Sequence, residues 1–220
     1  AVFPIRRRKS EMCCKKDSNE ENEKCGCCCD CGCDCGCCDC CECCIEVGDE
    51  VPDFELECWC PRKGDFDAVS LKALKEAGKW TVVVFFPAAF TPVCPTELAE
   101  IAERYKEISD LGAEVVVVSE DTKFVLQAWA QSEPLLKDVK YPLASDVKGE
   151  AAKLFGVYDY KTGLALRGTF IISPAGTLVS SEVSFYNVAR SAAELLRKLE
   201  ANVYVTENPG EACPAKWSKK

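Results

Sequence analysis

The sequence predicts an α/β protein with a mixed β-sheet that carries helices on both faces. Two segments, residues 81–86 and 114–118, are continuous runs of mostly β-branched and aromatic side chains, which is typical of strands covered on both sides. A segment with helical spacing follows each of them, and a pair of strands joined by a turn comes later. Because strand–helix alternation favours parallel strands and the later pair is antiparallel, the predicted sheet is mixed.

The individual elements follow from local patterns along the chain. Residues 54–57 alternate like a half-buried strand, and the helix at 96–111 has its apolar residues on one side and stops at Gly112. The predicted strands are residues 54–57, 81–86, 114–118, 166–172 and 177–183. The predicted helices are residues 70–77, 96–111, 123–132, 149–155 and 189–201.

Composition excludes several classes of function. The 220 residues, 48% of them hydrophobic, suffice for one domain core, and no apolar run approaches the roughly 20 residues that span a membrane. The formal charge of -9 argues against binding to nucleic acid. Because the chain has no histidine, it has no Ser-His-Asp triad, no Cys-His dyad and no histidine-ligated metal. The 19 cysteines leave thiol or metal–thiolate chemistry, with carboxylate chemistry as the remaining option.

The distribution of cysteines divides the chain into parts. Fifteen of the 19 cysteines lie in residues 13–44, where no aliphatic or aromatic side chain could supply a hydrophobic core. We expect a basic disordered lead-in at 1–12, a cysteine-rich segment at 13–44, a folded domain at 45–205 and a C-terminal arm at 206–220. No apolar stretch follows the basic residues, so the expected location is cytoplasmic, with an organelle as the alternative.

Cys94 is the cysteine whose surroundings indicate reactivity. It follows a buried strand and a proline-rich turn, and it stands where the next helix begins. The unpaired N–H groups of a helix start favour a thiolate over a thiol. Thr91 can present its hydroxyl to the sulfur, and Pro95 suits the first helical position. The alternative is a buried and inert cysteine.

The segment around Cys94 resembles the peroxidatic signature of the peroxiredoxins. The signature here is Pro87-x-x-x-Thr91-x-x-Cys94, and Pro-Thr-Glu-Leu at residues 95–98 is similar to the typical two-cysteine branch, which includes the alkyl hydroperoxide reductase C subunit. Four further segments resemble the family in the family's order: residues 141–146, 155–158, 167–172 and 210–215. The resemblance covers residues 45–217 and implies a thioredoxin-like fold.

The resemblance also implies the roles of the residues that match. Cys94 would attack a peroxide oxygen and become a sulfenic acid. Thr91 would hydrogen-bond the substrate and the sulfur, and Pro87 would shield the site. Arg167 would stabilise the thiolate and polarise the peroxide, which suits a site without histidine. A surface arginine at the end of a strand is the alternative for this residue.

Four more residues belong to the implied site or to its surroundings. Glu97 would orient an arginine, and Arg190, which we expect to open the last helix, resembles a second arginine near the site. Cys213 resembles the resolving cysteine, which forms a disulfide with Cys94 of a partner subunit. The alternative for Cys213 is a free thiol in the tail. Trp129 resembles an aromatic residue near the dimer interface, with an ordinary core position as the alternative.

The implied function is a thiol-dependent peroxidase that reduces hydrogen peroxide and organic hydroperoxides. No cofactor is implied for the peroxidase, and neither nucleic acid nor a membrane is an expected partner. The expected partners are a thioredoxin-like or flavoprotein reductant and a second copy of the chain, in a homodimer that could assemble into a decamer. One alternative is a thiol–disulfide oxidoreductase, although Thr91 occupies the first position of the Cys-x-x-Cys pattern that it needs. The other is a metal-buffering protein on a peroxiredoxin scaffold.

The cysteine-rich segment predicts a second, separate function. Cys-x-Cys spacing in an extended chain places thiolates on one side, where bridging sulfurs can share Zn or Cu(I). The composition is similar to that of metallothionein, and the alternatives are a low-complexity tail and a redox reservoir. The candidate ligands are Cys25, Cys27, Cys29, Cys31, Cys33, Cys35, Cys37, Cys38, Cys40, Cys41, Cys43 and Cys44. Cys58 and Cys60 are expected to be packed thiols on one strand face rather than a disulfide.

Overall fold

A computed structural model describes residues 44–218 of the chain. The expectations for the basic lead-in and for every cysteine before Cys44 lie outside the described residues. Within residues 44–218, no helix is both long enough and apolar enough to cross a membrane.

The described strands form one large sheet and one small hairpin. The large sheet has seven strands in the order β2-β1-β5-β4-β3-β8-β9, and β6 and β7 pair only with each other. The strands are β1 (Glu55–Cys60), β2 (Asp65–Ser70), β3 (Trp80–Phe85), β4 (Ala113–Ser119), β5 (Leu143–Ser145), β6 (Tyr158–Asp159), β7 (Leu164–Ala165), β8 (Arg167–Ile172) and β9 (Leu178–Ser184). Strands β3, β4 and β5 run parallel, and the other neighbours are antiparallel, so the predicted mixed sheet is confirmed.

Five α-helices are described on the two faces of this sheet. They are α1 (Leu71–Glu76), α2 (Cys94–Asp110), α3 (Lys123–Ser132), α4 (Glu150–Leu154) and α5 (Ala192–Glu207). A single 3₁₀ turn at Pro134–Leu136 follows α3. Helices α2, α3 and α5 pack in one hydrophobic core, and α1 and α4 contribute to a second core.

The two cores explain why β3 and β4 each carry an uninterrupted apolar run, at residues 82–85 and 115–118. Along β3, Val82 and Val84 belong to the first core, whereas Val83 and Phe85 belong to the second. Successive side chains of a strand point to opposite faces, so a strand with a core on each side needs an apolar residue at every position. All six residues of β3 are buried.

The structure differs from the predicted elements where the local pattern is short or polar. Strands β2 and β5 and the hairpin of β6 and β7 are absent from the elements predicted from the sequence. Strand β2 is partly polar because it lies at the sheet edge and pairs only with β1. The other three strands have two or three residues, too few for a period of two to be recognised.

The prediction that Arg190 opens the last helix is wrong. Helix α5 begins at Ala192 and continues to Glu207, so it lies later in the chain than predicted at both ends. The main-chain N–H of Arg190 donates to Oε1 of Glu97 at 2.8 Å. Arg190 therefore lies two positions before the helix, where its main chain is bonded to Glu97.

Candidate active site

Cys94 is the first residue of α2, at the end of the loop that follows β3. The loop contains the buried Pro87, and Pro95 lies in the first helical turn. No side chain caps this helix, because Val93 at the N-cap makes no side-chain hydrogen bond. Pro95 has no N–H, and the N–H of Thr96 donates to the main-chain oxygen of Val93 at 3.1 Å, so a negatively charged sulfur is favoured here by the partial positive charge of the helix start. The side chain of Cys94 has no exposed surface.

Arg167 brings a positive charge to this sulfur from the first position of β8. Its Nη1 lies 3.4 Å from Sγ of Cys94, and its Nε donates to the main-chain oxygen of Tyr186 at 2.7 Å. Only 2% of the residue is exposed, which rules out the surface position considered from the sequence. A guanidinium at hydrogen-bond distance stabilises a thiolate by charge and by donation.

Glu97 joins the two arginines that the sequence analysis singles out. Its Oε2 pairs with Nη1 of Arg167, and its Oε1 accepts from Nε of Arg190 at 2.9 Å. The side chain of Arg190 also donates to the main-chain oxygen of Gly168 at 2.6 Å and to Oγ1 of Thr169 at 3.1 Å. All three charged side chains are at most 7% exposed. Two guanidinium groups and one carboxylate leave a net positive charge next to the thiol.

The hydroxyl of Thr91 points to the main chain of its own loop. Its Oγ1 donates to the oxygen of Ala88 at 3.0 Å. With its proton engaged in this bond, the hydroxyl can accept a hydrogen bond but cannot donate one to the sulfur.

Asp121 supports the same loop and was not found by sequence reasoning. Its carboxylate accepts from the N–H of Ala89 at 2.8 Å and from the hydroxyl of Ser119 at 2.9 Å. Phe90, which follows Ala89 in this loop, has a φ of 58° and is 63% exposed. Parallel β3 and β4 end at the same edge of the sheet, so the loops after them are neighbours. That adjacency is the signal that could have identified Asp121.

Cys213 lies in the arm that follows α5, and it is half-buried there. Its Sγ lies 3.8 Å from the main-chain oxygen of Ala201 in α5. Both Cys94 and Cys213 are free thiols in the single described chain.

The two remaining core cysteines are buried on one sheet face, as expected. Cys58 and Cys60 are packed in the second core and form no disulfide. Burial, helped by the neighbouring Cys60, raises the pKa of the Cys58 thiol to about 12, so Cys58 keeps its proton at neutral pH. Among the described residues, no group of three cysteine and acidic side chains is placed to hold a metal ion.

Trp129 is a fully buried residue of α3 that packs against the active-site loop. Its ring stacks on Phe86 with centroids 5.4 Å apart, and it lies 6.4 Å from the ring of Phe90. Its Nε1 is buried and finds no hydrogen-bond partner among the described residues. Of the two positions considered from the sequence, Trp129 therefore occupies the ordinary core position within the described chain.

The chain is similar in sequence to known proteins of one family. The model of the AhpC/TSA family matches residues 47–181. The alkyl hydroperoxide reductase C of Amphibacillus xylanus is 43% identical over 173 residues, which is 79% of this chain and 90% of that protein. The protein of the same name from Staphylococcus aureus is 40% identical over the same shares.

Solved structures show the same fold. The crystal structure of Enterococcus faecalis AhpC superposes with a TM-score of 0.72 at 39% identity and covers 76% of this chain and 98% of its own. A reduced 2-Cys peroxiredoxin of Plasmodium vivax superposes with a TM-score of 0.72 at 28% identity, over 78% of this chain and 89% of its own. The thioredoxin-like α/β fold expected from the sequence is confirmed. A buried cysteine at a helix start, an arginine in contact with it and these relatives converge on one result: the chain belongs to the AhpC/TSA family and is a peroxiredoxin, an oxidoreductase with peroxidase activity.

Proposed function

We propose that Cys94 is the nucleophile that reduces hydrogen peroxide and organic hydroperoxides, with Arg167 stabilising its thiolate. The observation that carries this assignment is the 3.4 Å distance between Nη1 of Arg167 and Sγ of Cys94 at the start of α2. In the proposed step the S–O bond forms as the O–O bond of the peroxide breaks. The leaving oxygen takes a proton and departs as water or an alcohol, and the oxidised sulfur is a sulfenic acid.

The surrounding residues position the two arginines, stabilise the leaving oxygen, orient the peroxide and exclude water. Glu97 holds both guanidinium groups in place, and the net positive charge of the cluster stabilises the developing negative charge on the leaving oxygen. Thr91 accepts a hydrogen bond from the hydroperoxide, which orients the oxygen to be attacked, and buried Pro87 excludes water from the loop.

Cys213 of a second subunit is proposed to resolve the sulfenic acid. Its thiolate attacks the sulfur of Cys94, the S–S bond forms and the hydroxyl leaves as water. Because Cys94 is fully buried, this attack requires the first turn of α2 to move. A thioredoxin-like or flavoprotein donor then supplies the two electrons that return both thiols.

The free edge of the sheet supports assembly into a homodimer. Strand β9 ends the sheet, and within the described chain its outer edge is bonded at Leu178, to the main chain of Gly48 and Asp49, and is open beyond that residue. Val183 in this strand is 47% exposed, and Phe185 just beyond it is 65% exposed. An exposed strand edge with apolar side chains favours pairing with the same strand of a second copy, and such dimers can assemble further into decamers.

Peroxide kinetics of cysteine variants test the assignment of Cys94. Cys94→Ser should abolish rapid peroxide reduction in stopped-flow measurements, whereas Cys58→Ser, which removes another buried thiol, should leave it largely intact. Cys213→Ser should keep the first oxidation fast and block recycling by thioredoxin. Unimpaired turnover by Cys94→Ser would exclude the proposed mechanism.

The assembly is tested by the size of the oxidised protein. A chain that lacks residues 1–43, which removes most of the competing thiols, should run as a dimer on a non-reducing gel after one equivalent of peroxide. Reduction should return it to the monomer, and Cys213→Ser should prevent the dimer. A monomer that persists after oxidation counts against the intersubunit disulfide.

For the cysteine-rich segment we propose the binding of Zn or Cu(I), separate from the peroxidase. The supporting observation is the recurrence of Cys-x-Cys and Cys-Cys pairs in residues 25–44. The segment joins the folded domain at Cys44, whose Sγ lies 3.6 Å from the main-chain oxygen of Lys153 in α4. Helix α4 packs in the second core, whereas Cys94 lies in the first, so the attachment point and the active thiol are on opposite faces of the sheet.

Native mass spectrometry before and after chelation tests the metal proposal. Bound metal should protect the thiols from forming wrong disulfides, and the initial oxidation rate at Cys94 should change little when metal is removed. Zero bound metal in a reduced, metal-replete sample would reject the proposal. A large loss of that rate on chelation would reject the independence of the two parts.

A further inference from the structure

Arg167 depends on a main-chain oxygen that a tyrosine side chain holds in place. The Nε of Arg167 donates to the oxygen of Tyr186 at 2.7 Å, which leaves Nη1 to reach Cys94. Tyr186 lies two residues beyond the end of β9, in a turn closed by the N–H of Val188 and the oxygen of Phe185 at 3.2 Å. The β8–β9 ladder pairs Arg167 with Ser184, so the pairing stops before Tyr186 is reached.

The phenol of Tyr186 bridges this turn to the hairpin of β6 and β7. Its hydroxyl donates to Oδ2 of Asp159 at 2.7 Å and lies 2.7 Å from Oγ1 of Thr162. Because a phenol has one proton, the hydroxyl of Thr162 is the donor in the second contact. Asp159 ends β6 and Thr162 lies in the loop of this hairpin. Its second strand, β7, leads through Leu166 directly into Arg167.

The pKa values of Tyr186 and Asp159 shift in the directions expected for a stable hydrogen bond between the two side chains. Partial burial, and next the bond to Asp159, raise the pKa of the Tyr186 hydroxyl. The hydrogen bond from Tyr186 in turn lowers the pKa of Asp159. At neutral pH the phenol is therefore the donor and the carboxylate the acceptor.

We propose that Tyr186 is a positioning residue for the peroxidase reaction, because its hydroxyl ties the turn that holds Arg167 to the hairpin that precedes Arg167. Through this link, two parts of the chain hold the guanidinium: the turn after β9 and the hairpin that leads into β8. The proposal rests on the assignment of Cys94 and Arg167 under the proposed function. Tyr186 itself does not touch the sulfur in the described contacts, so it acts only through Arg167.

The test removes a single hydroxyl in the full-length protein and uses a matched control. Tyr186→Phe deletes the link, and Tyr158→Phe deletes a phenol hydroxyl from the same hairpin that makes no described hydrogen bond. Oxidation of Cys94 by hydrogen peroxide is followed by stopped flow across pH, and its sulfenic acid is trapped with dimedone and located by mass spectrometry. Tyr186→Phe should slow the oxidation about tenfold, the lower end of the range expected for the loss of a hydrogen bond to a charged carboxylate.

Two further readouts separate positioning from general loss of structure. The acid limb of the rate–pH profile should move to higher pH in Tyr186→Phe and stay in place in Tyr158→Phe, because a poorly held guanidinium stabilises the thiolate less. In an Arg167→Lys background, Tyr186→Phe should have no further effect on the rate, since the residue through which it acts has changed.

The outcomes are distinguishable. If Cys94 of the wild-type protein carries neither a dimedone adduct nor a disulfide after one equivalent of peroxide, the proposed site itself is overturned. Oxidation at Cys94 in either form, together with equal rates and equal pH profiles for the two phenylalanine variants, would overturn the role of Tyr186 alone. A slower Tyr186→Phe variant with an unchanged pH profile and an undiminished effect beside Arg167→Lys would also overturn it.

Discussion

At the residue scale, the active site depends on one buried carboxylate that faces two buried guanidinium groups. Glu97 accepts from Arg167 and Arg190 at once, and the side chain of Glu97 is 2% exposed. Charges taken out of water are costly unless each is paired, and a pair broken on one side leaves the other charge buried alone. The same contacts that aim Arg167 at the sulfur therefore also contribute to folding.

Glu97→Gln should be one of the most destabilising conservative changes in the protein. It leaves two guanidinium groups around a neutral amide, and we expect the free energy of unfolding to fall by about 3 to 5 kcal/mol in urea titrations. Glu194→Gln is the control, because Glu194 pairs with Arg197 on the surface at 2.7 Å and such pairs contribute about 1 kcal/mol or less. Equal losses in the two variants would contradict the importance of the buried network.

Glu120 makes the stability of the fold depend on pH. Burial, and to a smaller extent the nearby Asp146 and Asp121, raise its pKa from 4.5 to about 7. The folded state then holds the proton more tightly than the unfolded state, so this group's contribution to stability is complete below about pH 4.5 and is lost as pH rises towards 7. Its Oε2 accepts from the N–H of Ala165 at 2.9 Å, a bond that a glutamine oxygen can also accept.

Glu120→Gln should remove this part of the pH dependence. Relative to wild type, the variant should gain stability between pH 5 and pH 8, because the neutral amide has no proton to lose. Urea titrations at both pH values measure the difference. A difference between variant and wild type that stays constant from pH 5 to pH 8 would show that the carboxyl does not titrate in this range.

At the scale of elements, the loop between β3 and α2 is held by the loop that follows β4. Asp121 accepts the N–H of Ala89, and Phe90 next to it adopts a left-handed backbone that non-glycine residues rarely take. Such a conformation persists where neighbouring contacts impose it. The parallel pairing of β3 with β4 is what places this acceptor beside the active-site loop.

Asp121→Ala should loosen the loop by leaving a buried donor without a partner. The expected loss in the free energy of unfolding is about 1 to 3 kcal/mol, accompanied by slower oxidation of Cys94. Asp121→Asn should recover most of both, since its amide oxygen can still accept from Ala89. Asp138→Ala, which removes an exposed carboxylate, is the control for the lost charge. Failure of Asp121→Asn to exceed Asp121→Ala would show that the charge matters rather than the acceptor.

At the scale of the whole molecule, the described fold has two hydrophobic cores on opposite faces of one sheet. Both are built from residues after Cys44, with Ile45 as the first side chain packed against them. The cysteine-rich segment has no apolar side chain other than cysteine to add to either core. The folded domain should therefore carry its stability without that segment.

Deleting residues 1–43 should leave the unfolding transition almost unchanged. We expect a difference below about 1 kcal/mol between the full chain and a chain that starts at Cys44, measured in urea with reductant and chelator present. Limited proteolysis should likewise remove the segment and leave a cooperative domain. A shift of several kcal/mol would mean that the segment packs on the domain.

Local sequence patterns are enough to predict the parts of the fold that repeat a short period. Uninterrupted apolar runs identified β3 and β4, because a strand with a core on each face needs them. The strand, the proline-rich turn and the helix start located Cys94, since all three signals lie within a short stretch of chain. The family motif then indicated Arg167 and Cys213, although neither lies near Cys94 in the sequence.

Which distant groups meet follows from the folded structure alone. Glu97 and Arg190 are 93 positions apart, and Ala89 and Asp121 are 32 apart. Such contacts depend on the order of strands in the sheet, which no period of two or 3.6 residues records. The hydroxyl of Tyr186 illustrates the limit, because an isolated tyrosine after a strand carries no local signal. Its contact with Asp159 exists because the β6–β7 hairpin and the turn after β9 meet beside Arg167.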